Sequence, residues 1–590
     1  MTDCDFQEAL HLESASTRAV DLSGSRLSGL TLQDATIDGL LRLTNARSSS
    51  PVRLTRAHLT GTMDLTGAHI EGMPALHADS LVVERDLVCR DARITGEMLM
   101  WSCRIGGTFV LEGAHITNPD GATLNADGLT VDGGFFGGHT SPNGRGLHSQ
   151  GELRLQDATI SRCCILSRAR LDNATGTALN ADRLHVGGLL ALDDGLTAEG
   201  PITLVGAAIE GPMLLNRADL NAPGQSALDA SLAQIGGDLT AASGFSARGS
   251  LVLEDTRVAG SVDLAEAQLH NPAGETLSAR RLQVQGRLYC GSTTSQGHIV
   301  LTDANIGAAA EFHSARLTNP SGNTLTAWGL TASVLDLCDG FVSNGRVSLT
   351  SSHIASAVCL ASTTITGRVS LKRVRAGSLK TDSSTQLSGP VDFRHAQVEI
   401  LADVPTRWPD ALLLDGFVYS HMEVTLPLRE RLSWLAKETG GYLPQPYEQL
   451  AAAYVSHGDD AAAREVLLAK CRRQRASQPP LTRIWGHIQD WTVGYGYRPI
   501  RAAAWLLLML LIATAAFTAQ HPPPMKPSEA PPFNPFLYSV DLLLPVVGFG
   551  QEGAFNPHGW QQWLAAASIA AGWVLATTIA AGLTRTLSRR

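Results

Sequence analysis

A leucine beat runs along this chain for about 400 residues. In VRLTRAHLTGTMDLTGAHI (52–70), Leu54, Leu59, Leu65 and Ile70 follow one another at intervals of 5, 6 and 5. Ala57 and Ala68 stand two residues ahead of Leu59 and Ile70, and this A-x-L/I unit returns at 114–116, 169–171, 218–220, 267–269 and 315–317. A beat of five to six matches neither the ~3.6 period of an amphipathic helix nor the ~2 of a lone strand. It suits a chain that turns a corner every five or six residues, with one small and one larger apolar residue pointing inward on each face. The beat therefore predicts a mainly β fold, a right-handed parallel β-helix.

A longer period lies over the short one. NPDGATLNADGL (118–129), GTALNADRL (176–184), PGQSALDASL (223–232), NPAGETLSARRL (271–282) and NPSGNTLTAWGL (319–330) are versions of one block. Their leucines, Leu124, Leu179, Leu228, Leu277 and Leu325, are 55, 49, 49 and 48 residues apart. Each block reads as two roughly square coils, and Asn-Pro-x-Gly as a turn bulging from one corner. After an N-terminal cap (1–24), the solenoid is expected over 25–400, as about 15 coils of ~24.5 residues and ~70 Å at about 4.8 Å per coil. Such arrays bury their core between neighbouring repeats.

These blocks resemble pentapeptide-repeat and related quadrilateral β-helices. Together with its C-terminal segments, the chain resembles a family of high-GC bacterial proteins with a solenoid followed by two membrane spans. That family commonly carries the label membrane-associated oxidoreductase, so the resemblance implies a membrane protein and, by its label, redox chemistry.

Composition narrows the functions. Net charge is −9, which argues against nucleic acid as a partner, since phosphate binding needs a basic field. The nine scattered cysteines read as free thiols in a reducing compartment. The first residues, MTDCDFQEALHLE, lack the basic and apolar regions of a secretory signal, which places the solenoid in the cytoplasm.

Past residue 400 helical spacing takes over, and a helical capping domain is expected over 401–480. YEQLAAAYVSHGDDAAAREVLLAKCRRQRA (447–476) reads as two helices around Gly458, with Tyr447, Leu450 and Tyr454 facing Ala463, Val466 and Leu467. It resembles one tetratricopeptide-type hairpin, read as a cap for the solenoid or as a peptide-binding module. A juxtamembrane segment (481–501) follows. Arg472, Arg473, Arg475, Arg483, Trp485, Trp491, Arg498 and Arg501 have the cationic and aromatic character that the headgroup layer favours. Residues 502–519 and 563–583 form charge-free runs of 18 and 21 residues. Each is long enough at about 1.5 Å per residue for a core of about 30 Å. The intervening loop (520–562) has Lys526 as its only basic residue, whereas Arg498, Arg501, Arg585, Arg589 and Arg590 flank the outer ends. The positive-inside rule then puts both termini and the basic tail (584–590) in the cytoplasm of a two-span cell-membrane protein.

Motifs for chemistry are weak. Gly548, Gly550 and Gly553 spell G-x-G-x-x-G, but Pro557 and a membrane run follow, not the helix of a dinucleotide fold. Cys163 and Cys164 are adjacent and so face opposite sides of a strand. His58, His69 and His115 fall between the Ala and Leu/Ile of the A-x-L/I unit and point to solvent. No catalytic, cofactor or metal residue is assigned. The sharpest alternative is FLYSVDLLLPVVGFGQ (536–551), where Val547, Gly548, Phe549 and Gly550 resemble a potassium-channel pore loop lined by carbonyls. An interfacial segment explains the same residues. The expected function is a membrane-anchored cytoplasmic scaffold that binds the bilayer and an unidentified protein, with homo-oligomers compatible. The alternatives are an oligomeric channel and an oxidoreductase.

Overall fold

The computed structural model describes residues 2–138, 144–423, 427–476, 499–526, 530–544 and 548–587, with positions 479, 487, 490, 491, 494–496 and 528 between them. The chain divides into two units, Met1–Leu426 and Pro427–Arg590. The first is a mainly β parallel solenoid and the second is helical.

Four short sides make one coil of the solenoid. At Arg93 they are Arg93–Thr95, Met98–Leu99, Arg104–Ile105 and Phe109–Val110. Ala92, Ile94, Met98, Met100, Cys103, Ile105, Phe109 and Leu111 point inward and are at most 1% exposed. The A-x-L/I unit is thus one side of a square, with both its apolar residues inside. His58, His69 and His115, each its middle residue, are half-buried on the outer faces. Every ladder is parallel, and hydrogen bonds pass to the next coil even at corners. Ser102, left-handed at φ 52°, donates its N–H to the Asp127 carbonyl (2.9 Å). A left-handed non-glycine corner costs free energy, which a fully paired backbone offsets.

The coil is shorter than the sequence period suggests. Asp5, Arg26 and Arg47 stack at steps of 21, and Thr197, Asp219, Ser246 and Gln268 at 22, 27 and 22. The 49-residue block is therefore a 22-residue coil plus a 27-residue coil carrying the extra corner. About 18 turns result, not about 15, because only alternate coils in the middle carry it. The last rung pairs Leu401 with Met422.

Asparagine closes the corner inserts. The Nδ2 of Asn118, Asn173, Asn271 and Asn319 each donates to the carbonyl four residues on, at 2.6, 2.7, 2.8 and 2.8 Å. A glycine of the next coil lies under each turn. Gly200 (φ +116°) is one, where a Cβ would stand 2.4 Å from the Asn173 carbonyl oxygen.

The nine cysteines are not all free. Cys338 and Cys359, on adjacent coils, form a disulfide, whereas Cys4, Cys89, Cys103, Cys163, Cys164, Cys290 and Cys471 are thiols. Stacking brings together residues 21 apart, so the pair needs no recognisable sequence spacing. Cys164 is buried and Cys163 half-exposed, as adjacent residues on a strand should be.

In the second unit, α1 (Leu428–Ala436), α2 (Gln445–Ser456) and α3 (Asp460–Ala476) pack together. Tyr447, Leu450 and Tyr454 are buried, as are Ala463 and Val466, but Leu468 rather than Leu467 completes the seam. The helix α1 supplies buried Trp434 and is a third member that the two-helix reading lacked. Beyond lie α4 (Pro499–Ala519), α5 (Pro535–Leu543) and α6 (Trp560–Leu587). Phe517, Tyr538, Leu542 and Phe555 form their shared core. At Gly572 a Cβ would stand 2.1 Å from the Leu543 carbonyl oxygen, so α6 passes close against the end of α5.

Candidate membrane interface

Among the described residues one helix, Ile500–Ala519, is long and apolar enough to cross a bilayer: 20 residues at a mean hydropathy of 2.1. Two such helices were expected. The second run lies within α6, and its side chains at 578 and past residue 580 lie outside the described ones. On α4, Leu507, Leu508, Leu511 and Ile512 are 43–60% exposed. Exposed Trp491, Trp560 and Trp563 belong to the same unit. Tryptophan rings of this kind favour the boundary between lipid and water.

The cationic segment is more neutral than its sequence suggests. Arg472 donates to Asp490 (3.0 Å), and Arg475 donates to Asp490 (3.3 Å) and to the Tyr495 hydroxyl (3.2 Å). Burial alone would raise the Asp490 carboxyl, but Arg472 and Arg475 outweigh it and hold the group below the usual carboxylate range. Asp490 had no role in the sequence reading because it lies 15 and 18 residues from its partners. Arg473 and Arg501 are exposed, and the Trp491 ring lies 4.6 Å from that of Trp505 on α4. Arg483, Trp485, Arg498 and Val547 lie outside the described residues, as do Arg589 and Arg590.

The segment after α5 turns its amides inward. Asp541, buried on α5, accepts hydrogen bonds from the N–H groups of Phe549 (2.5 Å), Gln551 (2.7 Å) and Glu552 (3.1 Å). A cation filter needs carbonyl oxygens converging on the ion. Here the converging groups around Gly548, Phe549 and Gly550 are donors, gathered on a carboxylate. Asp541 is thus the anchor of the loop. On the other side of the loop, Gln561 donates to the Gln520 carbonyl (2.6 Å) and the Trp560 indole to the Gln520 side chain (3.1 Å). These bonds tie the end of α4 to the start of α6.

No family model, curated protein or solved structure matches this chain. The oxidoreductase label and the bacterial family that carries it gain no support from the comparisons. Fold and sites rest on the residues themselves.

The solenoid presents a second kind of surface. A shallow groove of about 740 Å³ runs across successive coils, lined by His185, Glu210, Gln234, Arg257, Gln283 and Asn305 among others. Trp101 and Trp328 project at corners, each about half exposed. Sequence periodicity marks such positions only as outward-facing and cannot rank them.

Proposed function

We propose that the protein is a membrane-anchored scaffold whose solenoid presents its outer faces to other macromolecules from the cytoplasmic side. The exposed leucine and isoleucine side chains of α4 carry this reading. They would be costly in water and are matched to hydrocarbon, with tryptophans beside them. In this reading α4 and residues 563–583 form a two-span hairpin. The helix break between Ala519 and Pro535, filled by HPPPMKPSEAPPFNP (521–535), supports a return of the chain outside the bilayer. The long groove across the coils and the two corner tryptophans favour binding over catalysis as the role of the solenoid.

Cysteine labelling tests the arrangement. A cysteine at Ser528 should react with a membrane-impermeant maleimide in intact cells, while Cys4 stays protected until lysis. Labelling of Cys4 without lysis would remove both the orientation and the cytoplasmic placement.

A further inference from the structure

The corner between the second and third sides of the coil follows a charge rule with one exception. Left-handed arginines at this corner stack on left-handed aspartates one coil away. Arg56 meets Asp34 at 2.7 Å, Arg183 meets Asp157 at 2.6 Å and Arg281 meets Asp255 at 2.5 Å. Arg373 holds the same corner with φ 56°, but its column neighbours are Ser351 and His395. Two residues further on, the third side stacks His353, Arg375 and Gln397 in parallel register. These two columns line a depression of about 450 Å³.

Every side chain in this grid offers a hydrogen-bond donor, and none is a carboxylate. Neither Arg373 nor Arg375 has an ion pair or side-chain hydrogen bond among the described residues. Of the nearby acids, Asp392 is bound by Arg394 at 2.6 Å, Glu399 lies two residues beyond Gln397, and Asp415 accepts the His395 N–H through its backbone carbonyl at 2.9 Å. Two exposed guanidiniums without counter-ions, in a chain of net charge −9, leave their donors open to an anion.

We propose that this depression binds a phosphate monoester in its doubly charged form. The planar guanidinium forks of Arg373 and Arg375 match two oxygens each, and Ser351, the histidines and Gln397 supply further donors around the tetrahedron. The shared chemistry is the doubly charged phosphate group, whether free or carried as a monoester on a side chain or a lipid headgroup. This site does not depend on the membrane reading above.

Calorimetric titration of the full chain in detergent tests it, with inorganic phosphate, O-phosphoserine and glycerol 3-phosphate as separate probes and dimethyl phosphate as a singly charged control. The expected result is saturable one-to-one binding of the dianions, with the tightest probe identifying the source, and weaker binding of the diester. Arg373→Gln and Arg375→Gln should each weaken binding by about tenfold or more, and Arg281→Gln should leave it unchanged. Arg375→Lys keeps the charge without the fork, so it should weaken binding even if a glutamine variant misfolds. Non-saturable heats, equal binding of dimethyl phosphate, or full affinity in Arg375→Lys would overturn the assignment.

Discussion

The solenoid and the helical unit satisfy the backbone by opposite means. A helix closes its hydrogen bonds within itself, whereas most solenoid N–H groups donate to a neighbouring coil, the preceding or the next one, corners included. A solenoid residue therefore stands in a column of counterparts about 22 residues apart, and departures from the column's rule are visible. Arg373 is recognised this way, against Arg56, Arg183 and Arg281. The helical unit has one copy of each part, so Asp490 or Asp541 can be understood only from the contacts each makes.

Truncating the core should separate the two regions most sharply. Phe109 is fully buried and meets Phe135 edge-on at 5.2 Å. Phe109→Ala should cost about 3–5 kcal/mol. Because coils interact with nearest neighbours, the loss should be local. Hydrogen exchange should accelerate in the coils flanking Arg93–Val110 and stay slow near Val391 and within α2 and α3. Uniform acceleration from Asp5 to Met422 would show that the coils unfold as one body.

The next effect compares glycines. Gly200→Ala must place a Cβ against the Asn173 carbonyl at a positive φ, and should destabilise by about 1–3 kcal/mol. Gly548→Ala has nothing within 4 Å and no positive φ, so it should leave the melting temperature of the helical unit unchanged. A neutral Gly200→Ala would mean that the insert relaxes away from the next coil.

These glycines mark where sequence reading succeeds and where it stops. Ala57, Leu59, Ala68 and Ile70 revealed the side of a coil, because inward positions must be apolar whatever else the chain does. The 49-residue block was legible too, but its division into 22 and 27 was not. Equal halves and unequal halves have the same repeat length, and only register separates them. The Asn-Pro-x-Gly turn was visible through Pro and Gly, while the closing bond comes from the Asn side chain. The disulfide and the Arg472–Asp490–Arg475 cluster join residues whose proximity depends on tertiary structure. Apolar length identified α4; hydropathy could not foresee that Asp541 would gather three amides.

Asp490 gives a smaller effect with a defined pH dependence. Its folded-state carboxyl titrates below its ordinary value of 3.8. The depressed group stabilises the fold at pH above 3.8, and that contribution is lost as pH falls through the folded-state value. Asp490→Asn should therefore destabilise the helical unit at pH 7 by about 1 kcal/mol. In thermal melts in detergent, the gap between wild type and variant should close as pH is lowered past 3.8. A gap that persists in acid would mean that Asp490 acts through packing and not charge.

The smallest effect belongs to the corner ion pairs, despite their short distances. Arg281 donates to both oxygens of Asp255, at 2.7 and 2.5 Å, and this bond lowers the Asp255 carboxyl. Both side chains remain open to solvent, 56% and 36% exposed. Water screens the attraction and ordering two side chains opposes it, so such pairs contribute little. The corner is already held by backbone bonds, including Arg281 N–H to the Thr302 carbonyl at 2.9 Å. Arg281→Gln should leave the urea midpoint of the solenoid unchanged at both low and high salt. A salt-dependent drop would show that the charged corners stabilise the stack, and Arg373, with no acid to meet, would then mark a weak point in it rather than a binding site.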